Sequence, residues 1–293
     1  MKSSGVIFFG KEFTPMTFIK KLESRQRSKK SLLCVGLDPD IKKIPSSISK
    51  FNKPVFEFNK AIIDATHDLV CGYKPQIAYY SAIGAEKELE QTIEYIHMKY
   101  PDIPVMLDAK RSDIGSTAEM YAKESFERYK VDAVTVNPFL GFDSIKPFTD
   151  WHEKGIIVLC KTSNPSSSDF QDMRIDGKPL YLFIAEKAIH EWNYNHNILF
   201  VVGATYPSQI RDIRNIAKNI TFLVPGIGAQ GGSISDVITN GLRLDGLGLI
   251  LSSSRGIIHA SISDDFADRA RQVALKTLSE IRTAQGLNDI IGE

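Results

Sequence analysis

Residues 104–137 read PVMLDAKRSDIGSTAEMYAKESFERYKVDAVTVN. This segment starts with an apolar run at 104–107, continues with an amphipathic stretch at 117–129, and ends with a β-branched run at 133–136. The short runs predict buried strands, and the longer stretch predicts a helix between them. A strand, a helix and a second strand within about 35 residues form the βαβ unit of a parallel sheet.

The same alternation extends in both directions along the chain. Strands are predicted at 32–37, 72–77, 104–107, 133–136, 155–160, 198–203, 221–224 and 246–251. Helices are predicted at 55–70, 85–100, 117–129, 180–192, 208–218 and 264–284, while the connections after the fourth and seventh strands are less clearly helical. Eight parallel strands in about 260 residues fit a closed α/β barrel of the (β/α)₈, or TIM, type better than an open sheet.

The sequence also predicts the limits of the barrel domain and one long loop within it. No linker rich in Pro, Gly or Ser divides it, so we expect a single barrel domain at 17–293 after an N-terminal extension at 1–16. A polar segment at 163–179 interrupts the regular alternation after the fifth strand. A loop of that length is either a disordered insertion or a lid, and its place at the carboxyl end of a strand favours an active-site lid.

Composition excludes several classes of protein. The 293 residues are 43% hydrophobic and 24% charged, with 36 Lys and Arg against 35 Asp and Glu, for a net charge of +1. This balance is typical of a globular protein and not of a disordered chain. A nucleic-acid-binding protein usually carries a basic excess, so we expect no nucleic-acid partner, and any positive charge that binds an anion must be local.

Cysteine usage and hydropathy indicate the compartment. Cys34, Cys71 and Cys160 are widely spaced and lie in or beside apolar runs, which predicts buried, reduced thiols. A reducing cytoplasm suits such thiols. No apolar stretch approaches the roughly 20 residues that a membrane-spanning helix needs. We therefore expect a cytoplasmic protein that does not insert in a membrane.

Charged residues occur where the predicted strands end. Asp38 follows the first strand, Lys74 lies in the second, and Asp108, Lys110 and Asp113 follow the third. The carboxyl ends of the strands form the active-site face of a barrel. Asp108 and Lys110 are two residues apart, so on an extended chain both side chains point the same way, into the barrel. A single such charge is often only a helix cap, as Asp113 could be, but opposite charges inside a barrel are costly unless a function retains them.

A glycine-rich segment at 225–232 follows the seventh strand, and SSSR at 252–255 follows the eighth. The spacing at 226–231 matches the G-x-G-x-x-G dinucleotide fingerprint, but no βα unit with an acidic residue about 20 positions later accompanies it. Glycine-rich backbone after strand seven and Arg255 after strand eight instead predict the phosphate site of a barrel.

The most specific motif is D-x-K-x-x-D-I-G-x-T at 108–117. It is accompanied by VGLDPD at 35–40, FNKA at 58–61, YKP at 73–75, CKTSNP at 160–165 and PGIGAQ at 225–230. Together these segments resemble the orotidine 5′-phosphate decarboxylase family, in its longer bacterial and protozoal branch. The resemblance covers nearly the whole chain from Thr17 to the last predicted helix.

This resemblance implies the conversion of orotidine 5′-phosphate to UMP and CO₂, the last step of pyrimidine nucleotide synthesis, without a metal or organic cofactor. Lys110 would stabilise the carbanion at C6 and donate the proton that replaces CO₂. Asp108 would face the departing carboxylate and hold Lys110 in place. Lys74 and Asp38 would hold the ribose hydroxyls and anchor a charged array in which Lys74, Asp108, Lys110 and Asp113 alternate in sign.

The resemblance also implies a homodimer that shares its active sites, because Asp113 and Thr117 would enter the site of the neighbouring subunit. Thr162 and Ser163 would contact the amide edge of the pyrimidine, and Pro225 would pack against the ring.

The phosphate would lie between Gln230 and Arg255. Here the sequence departs from the family pattern, because many members have a glycine before the arginine where this chain has serines at 252–254. The resemblance implies a second backbone N–H donor to the phosphate beside the arginine. The departure affects this donor and leaves the arginine in place.

Three alternatives remain open at this point. A Mg²⁺-dependent sugar-phosphate decarboxylase or aldol-type synthase shares D-x-K-x-x-D on the same barrel, although such chains are shorter and lack the long loop after strand five. A Schiff-base aldolase would use Lys74, Lys110 or Lys161. A catalytically inactive barrel that only binds nucleotide is the third.

Overall fold

Eight parallel strands close into a barrel at the centre of the molecule. The computed structural model describes residues 16–227 and 231–287. In chain order the strands, including two from a small hairpin, are β1 (Leu33–Leu37), β2 (Gly72–Pro75), β3 (Met106–Arg111), β4 (Ala133–Val136), β5 (Gly155–Lys161), β6 (Arg174–Ile175), β7 (Lys178–Pro179), β8 (Ile198–Val202), β9 (Phe222–Pro225) and β10 (Leu249–Ser253). The barrel order is β2-β1-β10-β9-β8-β5-β4-β3, and backbone bridges from Tyr73 to Val105 and from Gln76 to Asp108 join β2 to β3. The predicted (β/α)₈ barrel is confirmed.

Helices cover the outside of the barrel. They are α1 (Phe18–Lys29), α2 (Pro54–Thr66), α3 (Ile77–Ser81), α4 (Glu86–Lys99), α5 (Gly115–Lys123), α6 (Phe142–Thr149), α7 (Leu180–Lys187), α8 (Pro207–Ile216), α9 (Ile234–Gly241), α10 (Arg255–Ile258) and α11 (Phe266–Ala284). Short 3₁₀ helices and π-helical turns complete the set, at Ile41–Lys43, Pro138–Leu140, Pro165–Asp169, Glu124–Arg128 and Ala188–Trp192. The connections after β4 and β9 are helical after all. Their signal in the sequence is weak because α6 and α9 have only eight residues each and α6 contains Pro147.

Two apolar layers hold these elements together. One fills the barrel, where side chains such as Cys34, Met106 and Ile157 from different strands meet. Helix α1 closes the amino-terminal end of the barrel with Phe18 and Leu22, which belong to the same layer. The other layer, which is larger, lies between the strands and the outer helices. The barrel is therefore a packed core, and its carboxyl-terminal end is left for a site.

Strand ends differ from the predictions where the backbone turns early. Strand β2 ends at Pro75, and α3 starts at Ile77, inside the predicted strand. Strand β10 starts at Leu249 because Gly246 and Gly248 adopt φ of 78° and 86°, which belongs to turns and not to strands. In the other direction, β3 continues past Leu107 and carries the charged residues themselves.

The segment at 163–179 is ordered. It contains the 3₁₀ helix Pro165–Asp169 and the β6–β7 hairpin, whose turn residues Asp176 and Gly177 both have positive φ, of 50° and 79°. Two positive φ values are typical of the type I′ turn that suits two-residue hairpins. The segment therefore has local structure of its own, and its role as an active-site lid stays a prediction.

The remaining sequence expectations concern the cysteines and the chain as a whole. Cys34, Cys71 and Cys160 are free and buried, as predicted. Within the described ranges no helix has the length and apolar character to cross a bilayer. The expected N-terminal extension at 1–16 lies, apart from Met16, outside the described residues.

Candidate active site

Three charged side chains meet at the carboxyl end of the barrel. Lys74 Nζ on β2 donates to Asp108 Oδ2 at 3.0 Å, and Lys110 Nζ donates to Asp108 Oδ1 at 2.6 Å. The exposed fraction of the side chain is 5% for Lys74, 13% for Asp108 and 46% for Lys110. One carboxylate thus lies between two ammonium groups, of which one is buried and the other is accessible.

Mutual attraction keeps the buried members of this array ionised. Burial favours the neutral form of Lys74, but Asp108 and Asp38 outweigh it and raise the pKa of Lys74 above its ordinary value. Burial also disfavours the charged form of Asp108, yet Lys74 and Lys110 hold its pKa well below the usual range. Lys74 and Asp108 are therefore both charged at neutral pH.

A bulge in β3, and not an extended backbone, brings Lys110 to Asp108. The pairing of β3 with β4 shifts register between Leu107 and Arg111, where β3 has extra residues. Lys110 adopts φ of 48°, in the left-handed region that costs a non-glycine residue roughly 1–2 kcal/mol. The prediction that these two side chains meet is confirmed, but the extended geometry expected at Lys110 is wrong. Such strain is typical of functional sites.

Thr135 on β4 supports the bulge. Thr135 is 1% exposed, and its Oγ1 donates to Asp108 Oδ1 at 2.9 Å. The same oxygen accepts from the backbone N–H groups of Ala109 and Lys110 at 3.0 and 2.9 Å. Thr135 was not among the site residues predicted from the sequence. Its only signal was a hydroxyl within the apolar run at 133–136, which a strand tolerates without any special role.

Asp38 and the buried pair line one cavity. The cavity lies at the ends of β1, β2, β3, β9 and β10, and its lining includes Asp38, Lys74, Asp108, Pro225 and Arg255. Within the described part of the chain, Asp38 Oδ1 is buried and has no hydrogen-bond partner. An unpaired buried acceptor costs free energy, which a ligand hydroxyl in this cavity would recover.

Residues that follow β9 and β10 form another part of the cavity lining. Gly226 has φ of 95°, a conformation open to glycine, and it lines the cavity beside Pro225. Arg255 follows β10 at the start of α10 and is exposed, and no carboxylate among residues 16–227 and 231–287 forms an ion pair with it. The predicted phosphate-binding residue Gln230 lies outside the described residues.

Asp113 and Thr117 are not among the residues that line this cavity. Asp113 Oδ1 accepts from the backbone N–H of Ile114 at 2.8 Å, and Thr117 is exposed on α5. Neither residue caps the helix, because α5 starts at Gly115 and its N-cap, Ile114, forms no side-chain cap. Within the described part of one chain, therefore, Asp113 does not join the charged array, which consists of Lys74, Asp108 and Lys110.

Thr162 and Ser163 are at the base of the segment 163–179, beside the cavity rather than in its lining. Thr162 and Gln171 form two reciprocal bonds: the Thr162 N–H donates to Gln171 Oε1 at 2.9 Å, and Gln171 Nε2 donates to Thr162 Oγ1 at 2.9 Å. Ser163 packs so closely on Gly203 that a Cβ at Gly203 would lie 2.8 Å from its backbone. The positions of these residues thus depend on the folding of the whole segment.

Lys161 is directed away from the barrel interior. The β5–β8 pairing shifts register between Leu159 and Lys161, and the Lys161 side chain is 2% exposed. Its Nζ lies 3.0 Å from both Ser167 Oγ and Asp172 Oδ1 in the loop above. This lysine therefore anchors the segment 163–179 instead of joining the charged array.

Comparison with known proteins agrees with this geometry. The model of the orotidine 5′-phosphate decarboxylase / HUMPS family matches residues 31–269. The chain belongs to this family. It is 57% identical over 272 residues to orotidine 5′-phosphate decarboxylase of Cellvibrio japonicus, covering 92% of this chain and 100% of that protein.

Solved structures of the orotidine 5′-phosphate decarboxylase / HUMPS family also superpose well. The OMP decarboxylase of Leishmania donovani is 37% identical with a TM-score of 0.82, over 92% of this chain and 100% of that one. The UMP synthase of the same organism is 39% identical with a TM-score of 0.83, over 92% of this chain and 57% of that longer chain. The family resemblance inferred from the motif at 108–117 is confirmed.

Proposed function

We propose that the protein decarboxylates orotidine 5′-phosphate to UMP and CO₂, as a carboxy-lyase of pyrimidine nucleotide synthesis. The observation that carries this function is the Lys74–Asp108–Lys110 array beside a cavity that ends in Arg255. The name of the Cellvibrio japonicus relative, matched over its full length, supports the same activity.

The chemistry requires a charge that stabilises a localised carbanion. When the bond from C6 to the carboxylate breaks, its electron pair stays in the plane of the pyrimidine ring, where the π system cannot delocalise it. The accessible ammonium of Lys110 lies beside C6, stabilises this pair and donates the proton that replaces CO₂. Lys110 then regains a proton from solvent. Two unit charges 4 Å apart interact by about 4 kcal/mol at an effective dielectric of 20, so a fixed array supplies a useful part of the barrier reduction.

Asp108 has two roles in this mechanism. Its carboxylate holds Lys110 in position through the 2.6 Å bond, and it faces the carboxylate that leaves as CO₂. Repulsion between these two carboxylates is relieved in the transition state, which is the kind of differential interaction that raises kcat.

The rest of the substrate fills the cavity and its mouth. Asp38 and Lys74 bind the ribose hydroxyls, and the unpartnered Asp38 Oδ1 supplies an acceptor. Pro225 packs against the pyrimidine. Thr162 and Ser163 bind the amide edge when the segment 163–179 closes as a lid. Closure excludes water and strengthens the charged interactions inside.

Arg255 and Gln230 bind the phosphate at the far end of the substrate. This phosphate is remote from C6, so its binding energy is available to close the lid rather than to stabilise the ground state of the ring. No metal or organic cofactor takes part in this proposal. The three buried thiols suit a reducing compartment, and we place the protein in the cytoplasm.

A homodimer would complete the site. Asp113 and Thr117 follow β3, and large apolar side chains are exposed on the connections around them: Ile114, Met120, Phe139 and Leu140, with exposed fractions of 56%, 52%, 81% and 47%. Exposed apolar groups of this size around a polar mouth are typical of a protein interface. A second copy seated there would bring its Asp113 and Thr117 to the neighbouring cavity.

The test is the loss of orotidylate absorbance on addition of purified protein with EDTA present. We expect turnover with chelator, and we expect Lys110→Ala to abolish it while UMP binding stays largely intact. Loss of activity on chelation would favour the metal-dependent alternative, and trapping of substrate by borohydride would favour the Schiff-base alternative. UMP binding without any turnover would indicate an inactive nucleotide-binding barrel.

A further inference from the structure

His259 joins two loops that line opposite parts of the cavity. It follows α10, the helix that starts at Arg255, and its Nε2 accepts from the backbone N–H of Asp40 at 3.1 Å. Asp40 is two residues after Asp38. The imidazole also stacks on Phe58 of α2, with ring centres 5.4 Å apart. The side chain is thus fixed on one face by packing and on its edge by the loop that carries Asp38.

The bond to Asp40 determines the protonation state of His259. A backbone N–H can only donate, so Nε2 must present its lone pair and the proton of the neutral ring is on Nδ1. A protonated imidazole would carry hydrogens on both nitrogens, and the two N–H groups would then oppose each other. The contact is therefore made by neutral His259 alone.

We propose that His259 is a positioning residue for substrate binding, which holds the Asp38 loop and the Arg255 helix at the spacing that the ribose and phosphate of one nucleotide require. This inference rests on the proposed function, since Asp38 and Arg255 are binding residues only if a nucleotide occupies the cavity. The hydrogen bond to Asp40 and the stacking on Phe58 do not involve Lys74, Asp108 or Lys110. The effect of His259 therefore falls on binding and not on the proton transfer.

The groups around the ring make this contact sensitive to acid. Burial and the ammonium of Lys43 lower the pKa of His259, and the backbone of Asp38 and the carboxylates of Asp40 and Asp38 oppose this effect. The net direction is downward from 6.5. The contact therefore persists at neutral pH and is lost as the pH falls below that value.

The experiment compares His259→Leu with His259→Gln, because a glutamine oxygen replaces the Nε2 acceptor whereas leucine keeps only the packing. We expect the leucine variant to raise KM for orotidylate and Kd for UMP about tenfold, with kcat nearly unchanged, and the glutamine variant to remain near wild type. His97→Leu is the matched control, because His97 contacts Asp132 Oδ2 at 3.3 Å, away from the cavity. It should lower stability without changing KM.

A second arm uses pH. The ratio of the wild-type KM to that of His259→Gln should rise below pH 6.5, because only the wild type loses the contact, while ionisation of the substrate phosphate affects both proteins equally. An unchanged KM and UMP Kd in His259→Leu would overturn the inference, as would equal losses in the leucine and glutamine variants. Absence of wild-type turnover would instead contradict the proposed function, and UMP calorimetry would still test His259.

Discussion

Asp108 accepts hydrogen bonds from two ammonium groups, so its removal changes the charge of a buried site rather than a single contact. Lys74, which is 5% exposed, would keep only the attraction of Asp38 and would face the positive charge of Lys110. Removing one partner of a buried ion pair is costly because the other charge remains desolvated. At the residue scale, catalysis and stability therefore depend on the same carboxylate.

The variant Asp108→Asn tests this dependence. The pKa of Asp108 lies below its ordinary value of 3.8, so its ionised form stabilises the fold above pH 3.8, and this stabilisation is lost as the pH falls further. We expect the variant to lower the free energy of unfolding at pH 7 by about 3 kcal/mol. Below pH 3.8 this free energy should fall less in the variant than in the wild type. Urea unfolding at several pH values measures both effects.

The exposed Asp268 on α11 offers a control for that measurement. Asp268→Asn should change the free energy of unfolding by less than about 0.5 kcal/mol at pH 7. Equal stability of Asp108→Asn and wild type across the pH range would show that the array contributes nothing to folding.

At the scale of elements, alternation of apolar runs and amphipathic stretches was enough to predict the barrel. Most residues of the barrel strands are buried on both faces, and the longer helices are buried on one, so both patterns are local. The bulges in β3 and β5 could not be predicted in this way, because a bulge is defined against the neighbouring strand. For this reason the sequence predicted that Lys110 lies near Asp108 but not its left-handed backbone, and it left Lys161 as a candidate nucleophile.

The bulge in β5 has a consequence for the segment 163–179. Two adjacent residues of that segment, Gln171 and Asp172, bond back to two adjacent residues at the end of β5, Thr162 and Lys161. Gln209 of α8 also donates to Asp172 Oδ1, at 3.3 Å. The base of the loop is thus held by side chains on both of its sides, while the β6–β7 hairpin extends beyond them.

Lys161→Met should release this base. The substitution removes the buried ammonium that binds Ser167 and Asp172, so we expect faster proteolysis within 163–179 and a KM for orotidylate raised several-fold. Lys187→Met is the control, because Lys187 forms an exposed ion pair with Glu191 that contributes about 1 kcal/mol at most. If Lys161→Met and Lys187→Met are cleaved at the same rate, the anchor assigned to Lys161 is refuted.

At the scale of the whole molecule, apolar packing lies at one end of the barrel and the charged residues lie at the other. Helix α1 and the apolar interior close one end, and the charges predicted from strand ends collect at the other. Asp38, Lys74, Asp108, Pro225 and Arg255 were predictable as one group because parallel strands place their carboxyl ends on the same face. Asp113 and Thr117 could not be assigned to a cavity from one chain. The local pattern of apolar and polar residues does not show which residues of a second copy would contact them.

Subunit exchange tests the shared site at this scale. When inactive Lys110→Ala and Asp113→Ala proteins are mixed and exchanged at random, half of the dimers are mixed, and one of the two sites in each has both residues intact. We therefore expect recovery of about a quarter of the wild-type activity. Lys110→Ala mixed with Asp108→Asn is the control, because Lys110 and Asp108 are on the same strand of one subunit and no exchange restores both. Native mass spectrometry would verify the mixed dimers, and mixed dimers without recovered turnover would rule out a site completed by Asp113 of the second copy.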